Sequence, residues 1–365
     1  MRLKKEGQRQ GQEQEQEQEL QRQRQRKPNP TIYHVTTGSL SKHTKISYES
    51  HINEFLAHVK ITDIEPLKEY SPKLIKQMIV DYIIYLRDER KLPRGTIKVQ
   101  LAALSHFFYM IRDDDNRLDL DKAKMELPPD ERIRRDRPNT VEEIQNMLSS
   151  SSRIREKVVI LLLTSTGMRI GALHTLKIGD LAPKTIAKGD VYTITVYSSL
   201  SQSYQTPCNI ECATAIGLYL KERTDAGEIL NSESPLIRNL YNSLNVKTAK
   251  PLNENGMMYL VSRIVRLSVI RKAFQFKGEA KRALGFCKFY KTQAEQSGMK
   301  SINIEVAHGH SIGVSDHYYR PKESDILEDY ITHAANSLTI SSQYRLEQEN
   351  RELKSTQAQE IAQLR

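Results

Sequence analysis

Six consecutive apolar residues, 158–163, form the longest uninterrupted hydrophobic run in this chain of 365 residues. The run is apolar on every side of a helix, which is typical of a helix buried at the centre of a domain. It is also much shorter than the ~18 apolar residues that a membrane span requires. Ahead of it, Thr140 and Glu143 have the spacing of a capping box. The sequence therefore predicts a domain with a helical core that begins at Thr140.

A second helical region lies upstream. Residues 46–112 contain three apolar stripes at helical spacing, and the breaker Leu92-Pro93-Arg94-Gly95 separates the second stripe from the third. These stripes predict a small helical domain. Residues 113–139 are acidic, basic and Pro-rich with little apolar periodicity, and they predict a linker. The arginines of these segments are Arg94, Arg134, Arg135 and Arg137. They either contact DNA phosphates or are solvated, and both interpretations stay open.

One segment of the later domain has a different period. At residues 192–197 apolar side chains alternate with Thr or Tyr, so we expect a strand and a hairpin within residues 190–206. Helical patterns resume at 212–223, 256–274 and 281–296. The sequence therefore predicts a mainly α fold with a small antiparallel β-sheet.

The two ends of the chain differ from the middle. Residues 1–30 contain nine Gln, eight Lys+Arg and five Glu, with almost no apolar residue, and predict a disordered tail. Residues 322–365 predict C-terminal helices, with an amphipathic stripe at 326–338 that packs either on its own domain or on a neighbouring subunit. Approximate heptads follow and favour packing or a coiled coil, at Leu346, Asn350, Leu353, Gln357, Ile361 and Leu364.

Charge and cysteine content limit the possible functions of the chain. The chain carries 55 Lys+Arg against 45 Asp+Glu, a net charge of +10, which favours a polyanionic partner such as nucleic acid. Cys208, Cys212 and Cys287 are too few for a disulfide framework or a closed zinc site, so we expect reduced thiols and no metal. With no apolar leader after Met1, we expect a cytoplasmic protein with no membrane partner.

Two motifs indicate the chemistry. The first is Thr164-Ser165-Thr166-Gly167-Met168-Arg169, in which an arginine emerges at a glycine break between buried helices. The second, residues 309–321, begins Gly309-His310-Ser311 and contains paired tyrosines eight and nine residues after the histidine. Together with the helical domain in front, they resemble the tyrosine recombinase (phage integrase) family, most closely the integrases of archaeal mobile elements. The resemblance extends over roughly residues 46–340.

The resemblance implies a helical, SAM-like core-binding domain at 46–112 and a tyrosine recombinase catalytic domain at 140–321. It implies site-specific DNA recombination and integration at double-stranded DNA sites, carried out by a homo-tetramer through a 3′-phosphotyrosyl intermediate and without metal or nucleotide cofactor. The family holds the phosphate with two arginine forks and uses a hairpin lysine as the general acid.

Three site residues are assigned from the family pattern by position. Arg169 matches the first clamp arginine, and His310 matches the histidine ahead of the nucleophile. The nucleophile is expected at Tyr318, with Tyr319 as the alternative from the spacing in many bacterial relatives.

Three other positions depart from the pattern. Leu284 occupies the expected histidine position of the middle box, Cys287 the second arginine position, and Ser198 the hairpin lysine position. Lys288 and Arg282 are weak candidates to replace the lost arginine, because they project from other faces of a helix. Lys288 is also a DNA-contact candidate.

The departures leave a second hypothesis open, in which the chain is a catalytically degenerate relative that binds DNA without strand exchange. A helical protein-interaction scaffold is a third hypothesis from a different class, and it rests on the heptads and the charged tail.

Overall fold

The computed structural model describes residues 40–112, 118, 120–129, 137–187, 189–242, 244–268, 283–314, 318–346, 350 and 354. The tail predicted at 1–30 lies outside these residues, as does the end of the helical pattern predicted at 256–274. The chain divides into two compact units, Met1–Arg132 and Ile133–Arg365. Among the described residues, no helix combines the length and apolar character needed to cross a membrane.

The first unit is built from helices in its described part. Ser41 caps the first helix by accepting from the Thr44 amide, and Ser71 caps the third in the same way, with Pro72 in its first turn. The helices are α1 (Lys42–His58), α2 (Pro66–Glu69), α3 (Pro72–Asp88), α4 (Arg94–Ile111) and α5 (Asp121–Met125). The three helical stripes predicted from the sequence are α1, α3 and α4.

Aromatic residues fill the core of this unit. Phe55 lies edge-on to both Tyr82 and Phe108, with ring centroids 5.3 and 6.0 Å apart. The buried Tyr82 hydroxyl donates to the buried Gln100 Oε1 at 2.8 Å. A polar pair between α3 and α4 is thereby satisfied inside the core.

Part of the segment predicted as a linker belongs to this core instead. Helix α5 lies within residues 113–139, and Leu120, Ala123 and Leu127 are buried against the helices of the first unit. Their spacing of three and four residues is helical but spans only two turns, which is too short a pattern to stand out from the charged residues around it.

The second unit begins with the predicted capping box. The Glu143 amide donates to Thr140 Oγ1 at 3.2 Å, and the Thr140 amide donates to Glu143 Oε2 at 2.9 Å. Helix α6 (Val141–Ser149) follows, and then α7 (Ile154–Thr166), in which every residue of the 158–163 run is buried. The prediction of a central buried helix is confirmed.

A three-stranded antiparallel sheet follows the short helix α8 (Ile170–Leu173). Its order is β1 (Leu181–Ile186), β2 (Gly189–Val196) and β3 (Tyr204–Pro207). The strand and hairpin predicted at 190–206 are β2 and β3. The prediction of a mainly helical fold with a small antiparallel sheet is confirmed.

Further helices complete the described part of this unit. They are α9 (Ile210–Asp225), α10 (Glu254–Leu267), α11 (Leu284–Gln296), α12 (Ser301–Ala307) and α13 (Glu323–Asp329), which continues into a π-helical turn at Tyr330–Ala334. The buried Tyr330 hydroxyl lies 3.0 Å from Ser165 Oγ and donates to the Ser165 carbonyl at 2.8 Å, which joins the turn to α7.

The amphipathic stripe at 326–338 packs in the core of its own unit, where Ile326, Tyr330, Ala334 and Leu338 are buried. Glu211 at the start of α9 accepts from the amides of residues 340 and 341 at 2.7 and 3.1 Å and holds the chain beyond the stripe. The heptad position Leu346 is exposed. Four further heptad positions lie outside the described residues, namely Leu353, Gln357, Ile361 and Leu364.

Candidate active site

Arg169 is presented by a tight turn at the end of α7. Gly167 ends the helix with a left-handed φ of 63°. A Cβ atom at Gly167 would lie 2.7 Å from Cγ of Tyr290 and closer still to Nε2 of His308, so only glycine fits this turn without displacement. The Arg169 side chain is exposed, and no hydrogen bond or ion pair engages its guanidinium in the described part of the chain.

Several ionisable side chains lie within electrostatic reach of Arg169. Burial raises the pKa of the Tyr204 phenol, and the positive charge of Arg169 opposes that rise. The same two effects act on the pKa of Tyr197 and on the pKa of the Cys287 thiol. Tyr204 of β3, Tyr197 in the turn before it and Cys287 of α11 therefore lie near the turn that carries Arg169.

Cys287 lies near this turn, where the second arginine was expected. Its half-buried Sγ donates to the Met168 carbonyl at 3.8 Å, one residue before Arg169. Leu284, one turn earlier on α11, is 42% exposed. Ser198 is exposed in the turn between β2 and β3, and that turn has no lysine among residues 197–203. The positions of the three missing groups therefore carry side chains that cannot supply a positive charge or act as a cationic acid.

His310 is held by a carboxylate that the sequence analysis missed. Its Nδ1 lies 2.5 Å from Oε2 of Glu305 on α12, and its backbone amide donates to the Glu305 carbonyl at 3.0 Å. The other oxygen of Glu305 forms an ion pair with Lys291 on α11. Gly309 turns the chain into this position with a left-handed φ of 64°. The spacing of five residues between Glu305 and His310 is the signal available in the sequence.

A second histidine, His308, was also missed. It is buried, with its ring centroid 4.7 Å from that of Tyr290 and 5.3 Å from that of His310. Neither ring nitrogen has a hydrogen-bond partner in the described part of the chain. Burial, reinforced by the neighbouring His310, lowers the pKa of His308 to about 4. The His-Gly-His pattern at 308–310 was visible in the sequence, but the burial of its first member was not.

The two candidate nucleophiles have different surroundings. Tyr318 is 86% exposed. The Tyr319 hydroxyl instead donates to Oδ1 of the buried Asn303 at 2.5 Å, and Asn303 donates to Oδ2 of Asp329 at 2.6 Å. No hydrogen bond or ring contact joins Arg169 to either tyrosine in the described part of the chain, so their convergence on one phosphate stays a prediction.

Comparison with solved structures identifies the fold. A lambda integrase dimer bound to a COC′ core site matches with a TM-score of 0.53 and 16% identity, over 81% of this chain and 94% of that one. The Tn1549 transposon integrase in complex with transposon right end DNA matches with a TM-score of 0.53 and 15% identity, over 82% and 98%. This chain has the tyrosine recombinase fold.

Comparison with curated sequences also finds tyrosine recombinases, over a shorter stretch of the chain. The tyrosine recombinase XerC of Roseiflexus sp. (strain RS-1) is 27% identical over 153 residues, which are 39% of this chain and 46% of XerC. The tyrosine recombinase XerD of Listeria monocytogenes is 26% identical over 163 residues, 41% of this chain and 52% of XerD. The chain spans about half the length of the curated relatives it matches. No family model matches it.

Two arginines predicted to contact DNA are engaged with protein groups in this recombinase fold. Arg94 donates to the Pro128 carbonyl at 2.7 Å. Arg137 donates from both terminal nitrogens to the carboxylate of Glu143, at 2.6 and 2.9 Å, next to the capping box of α6. Each therefore stabilises its own unit, and a phosphate contact would have to use the remaining donors.

Of the other predicted DNA contacts, the structure describes Lys288. Lys288 is half-buried on α11. Arg134 and Arg135, like the replacement candidate Arg282, lie outside the described residues. Within the described residues no group of three or more His, Cys, Asp or Glu side chains could hold a metal ion, and Cys208 and Cys212 are both buried.

Proposed function

We propose that this chain is a member of the tyrosine recombinase family that binds double-stranded DNA recombination sites and attacks a phosphodiester with Tyr318. In this proposal it acts as the integrase of a mobile element, closest to those of archaea. The observation that carries the proposal is the exposed guanidinium of Arg169, which Gly167 and the surrounding core hold at a fixed turn and which no described residue engages. A planar guanidinium of this kind suits bidentate contact with phosphate oxygens.

The proposed reaction is a transesterification. The Tyr318 phenol loses its proton, its oxygen bonds to phosphorus, and the bond from phosphorus to the 5′ oxygen breaks, which leaves a 3′-phosphotyrosyl link and a protonated 5′-hydroxyl. Arg169 stabilises the charge that develops on the phosphate oxygens. His310 supplies an imidazole for phosphate bonding or proton transfer. Rejoining is the same displacement in reverse, so no energy-rich cofactor is consumed.

The different surroundings of the paired tyrosines support Tyr318 as the nucleophile. Tyr319 has its hydroxyl engaged by the buried Asn303, and attack by that oxygen would require breaking a short hydrogen bond. Tyr318 is free to reach a phosphate because most of its side chain is exposed.

A second candidate function is DNA binding without cleavage, and specific observations favour it. At the positions where the family pattern places the middle-box histidine, the second arginine and the hairpin acid, the chain has Leu284, Cys287 and a lysine-free turn at Ser198. General acid catalysis is worth ~10²–10⁴ in rate, and one electrostatic donor ~10²–10³. Losses of this size reduce cleavage to a low rate or abolish it, whereas affinity for DNA depends on many dispersed lysines and arginines.

The proposal extends to the organisation of the chain. Residues 46–112 act as the core-binding domain and residues 140–321 as the catalytic domain, and four copies assemble on DNA. The net charge of +10 supports a polyanionic partner. DNA contacts are proposed for Lys288, Arg94, Arg134, Arg135 and Arg137.

A suicide DNA substrate tests the proposal. A nick close to the cleavage point lets the short 5′-hydroxyl strand diffuse away, so the covalent protein–DNA adduct accumulates and can be separated by denaturing electrophoresis. We expect an adduct with the unmodified chain and with Tyr319→Phe, and none with Tyr318→Phe. Duplex binding that weakens steeply with salt, without an adduct, supports the second candidate function. Absence of both refutes the two proposals.

A further inference from the structure

The carboxylate of Glu305 lies between two positively charged or protonatable groups from different elements. On one side it forms an ion pair with Lys291 of α11, and on the other Oε2 lies 2.5 Å from Nδ1 of His310. The backbone adds a third link, because the His310 amide donates to the Glu305 carbonyl at 3.0 Å. Glu305 therefore fixes both the main chain and the ring of His310.

This contact determines which ring nitrogen faces outward. An ionised carboxylate only accepts hydrogen bonds, so Nδ1 of His310 must carry a proton when it bonds to Glu305. The described part of the chain provides no hydrogen-bond partner for Nε2 of His310, which is left to meet a group from outside. A neutral imidazole held in this way presents the lone pair of Nε2, and a protonated one presents an N–H.

Lys291 keeps the carboxylate in place and ionised. Although burial favours the protonated form, the hydrogen bonds from Lys291 and His310 lower the pKa of Glu305 below its ordinary value. Lys291 follows Cys287 by four residues on α11, so both lie on one face of the helix. Burial and the neighbouring His310 lower the pKa of the buried His308, and the positive charges of Lys291 and Arg169 lower it further.

We propose that Glu305 is a positioning residue for the phosphate site: it holds His310 in the tautomer with a proton on Nδ1 and aims Nε2 at the DNA phosphate, while Lys291 holds Glu305. The proposal rests on the proposed function, because the phosphate is the group that Nε2 would meet. The carboxylate of Glu295 lies 3.9 Å from Lys291. In the described part of the chain, the charged and titratable groups near the pair include Lys291, Glu295 and His308, and Arg169 acts on His308 in turn.

The tautomer is tested without any enzymatic activity. In the full chain with ¹⁵N-labelled histidine, the nitrogen chemical shifts of His310 at neutral pH report which ring atom carries the proton. We expect Nδ1–H in the unmodified chain and in Glu305→Gln, whose amide oxygen still accepts, and a shift toward Nε2–H in Glu305→Leu. Glu295→Gln is the matched control, since it removes a negative charge beside Lys291 without touching His310. An unmodified chain with Nε2–H, or no change in Glu305→Leu, overturns the proposal.

The consequence for the reaction is tested with the suicide substrate. Glu305→Leu is expected to form the adduct at least ~10-fold more slowly than the unmodified chain, with an altered dependence of rate on pH, because His310 takes part in phosphate bonding or proton transfer. Glu305→Gln should recover part of the rate. An unchanged rate and pH profile in Glu305→Leu, despite the altered tautomer, refutes the positioning role. If the unmodified chain forms no adduct, the proposed cleavage fails, while the tautomer comparison still decides how Glu305 acts on His310.

Discussion

Replacing Gly167 by alanine tests how the turn that presents Arg169 is held. The left-handed φ of 63° costs an alanine about 1–2 kcal/mol. The new Cβ would also lie 2.7 Å from Tyr290 Cγ and closer still to His308 Nε2, inside a packed core. Forcing an extra carbon into such a core costs about 1–3 kcal/mol more. The total expected loss of unfolding free energy is about 2–5 kcal/mol.

Gly313 provides a matched control for the backbone term. Its φ of 66° is nearly the same as that of Gly167, but no atom of the described residues lies within 4 Å of the position that its Cβ would occupy. Gly313→Ala should therefore lose only the backbone contribution. The difference between the two variants, about 1–3 kcal/mol, isolates the steric contact with Tyr290 and His308. Adding His308→Ala to Gly167→Ala should recover part of that difference.

Hydrogen exchange of α7 peptides at increasing urea concentration measures the stability of the second unit separately from that of the first. Each kcal/mol should also lower the unfolding temperature of a unit of this size by about 2–4 °C. Equal losses in Gly167→Ala and Gly313→Ala would refute the argument, because the contact with the two rings would then contribute nothing. If Gly167→Ala with His308→Ala is as unstable as Gly167→Ala alone, the steric contact is with Tyr290 alone.

Two further predictions concern groups beside the turn. Because the pKa of His308 is lowered to about 4 in the folded chain from 6.5 when unfolded, stability should fall as pH drops from about 6.5 to 4, by up to about 1.4 kcal/mol per pH unit. His308→Leu should show a shallower fall in urea midpoints over that range, and an unchanged slope contradicts the assignment. Cys287→Arg restores a cation beside Arg169 and should raise adduct formation on the suicide substrate about 10²-fold or more. Cys287→Lys is its control, since a point charge lacks the planar fork, and no gain in either variant means that position 287 does not face the phosphate.

The elements that were predictable from the sequence are those with strong local signals. The capping box of Thr140 and Glu143, the buried run of α7 and the period-two pattern of β2 all depend on neighbours within a few residues. Strand β1 gave no such signal, because it is an edge strand with Pro183 in it and one buried residue among six. Residues 181–186 form a strand because they pair with β2, and this pairing is visible only in the three-dimensional structure.

In the candidate site too, residues in short motifs were predictable from the sequence and contacts between distant residues were not. Arg169 and His310 were predicted as site residues because each sits in a short motif, and Leu284 and Cys287 were predicted as substituted positions by comparison with the family pattern; these roles stay predictions. The pairing of Glu305 with Lys291 joins two helices and carries no local signature. The motif already favoured Tyr318 over Tyr319, and the hydrogen bond from Tyr319 to Asn303, sixteen residues earlier in the chain, adds support that the sequence did not reveal.

Folding constrains the turns that carry Arg169 and His310 more strongly than it constrains the positions where the expected histidine and lysine are absent. Gly167 and Gly309 are required by packing, because a Cβ at either would overlap an aromatic ring, that of Tyr290 or Tyr204. Core packing thus maintains the turns that carry Arg169 and His310, whatever the chemistry at the site. Leu284 and Ser198 are exposed, and the unit has no comparable structural need for a histidine or lysine at those positions. Substitutions at such positions can therefore abolish or restore the proposed cleavage without changing the fold or the proposed phosphate contacts, which is why the adduct assay and the binding assay must be read separately.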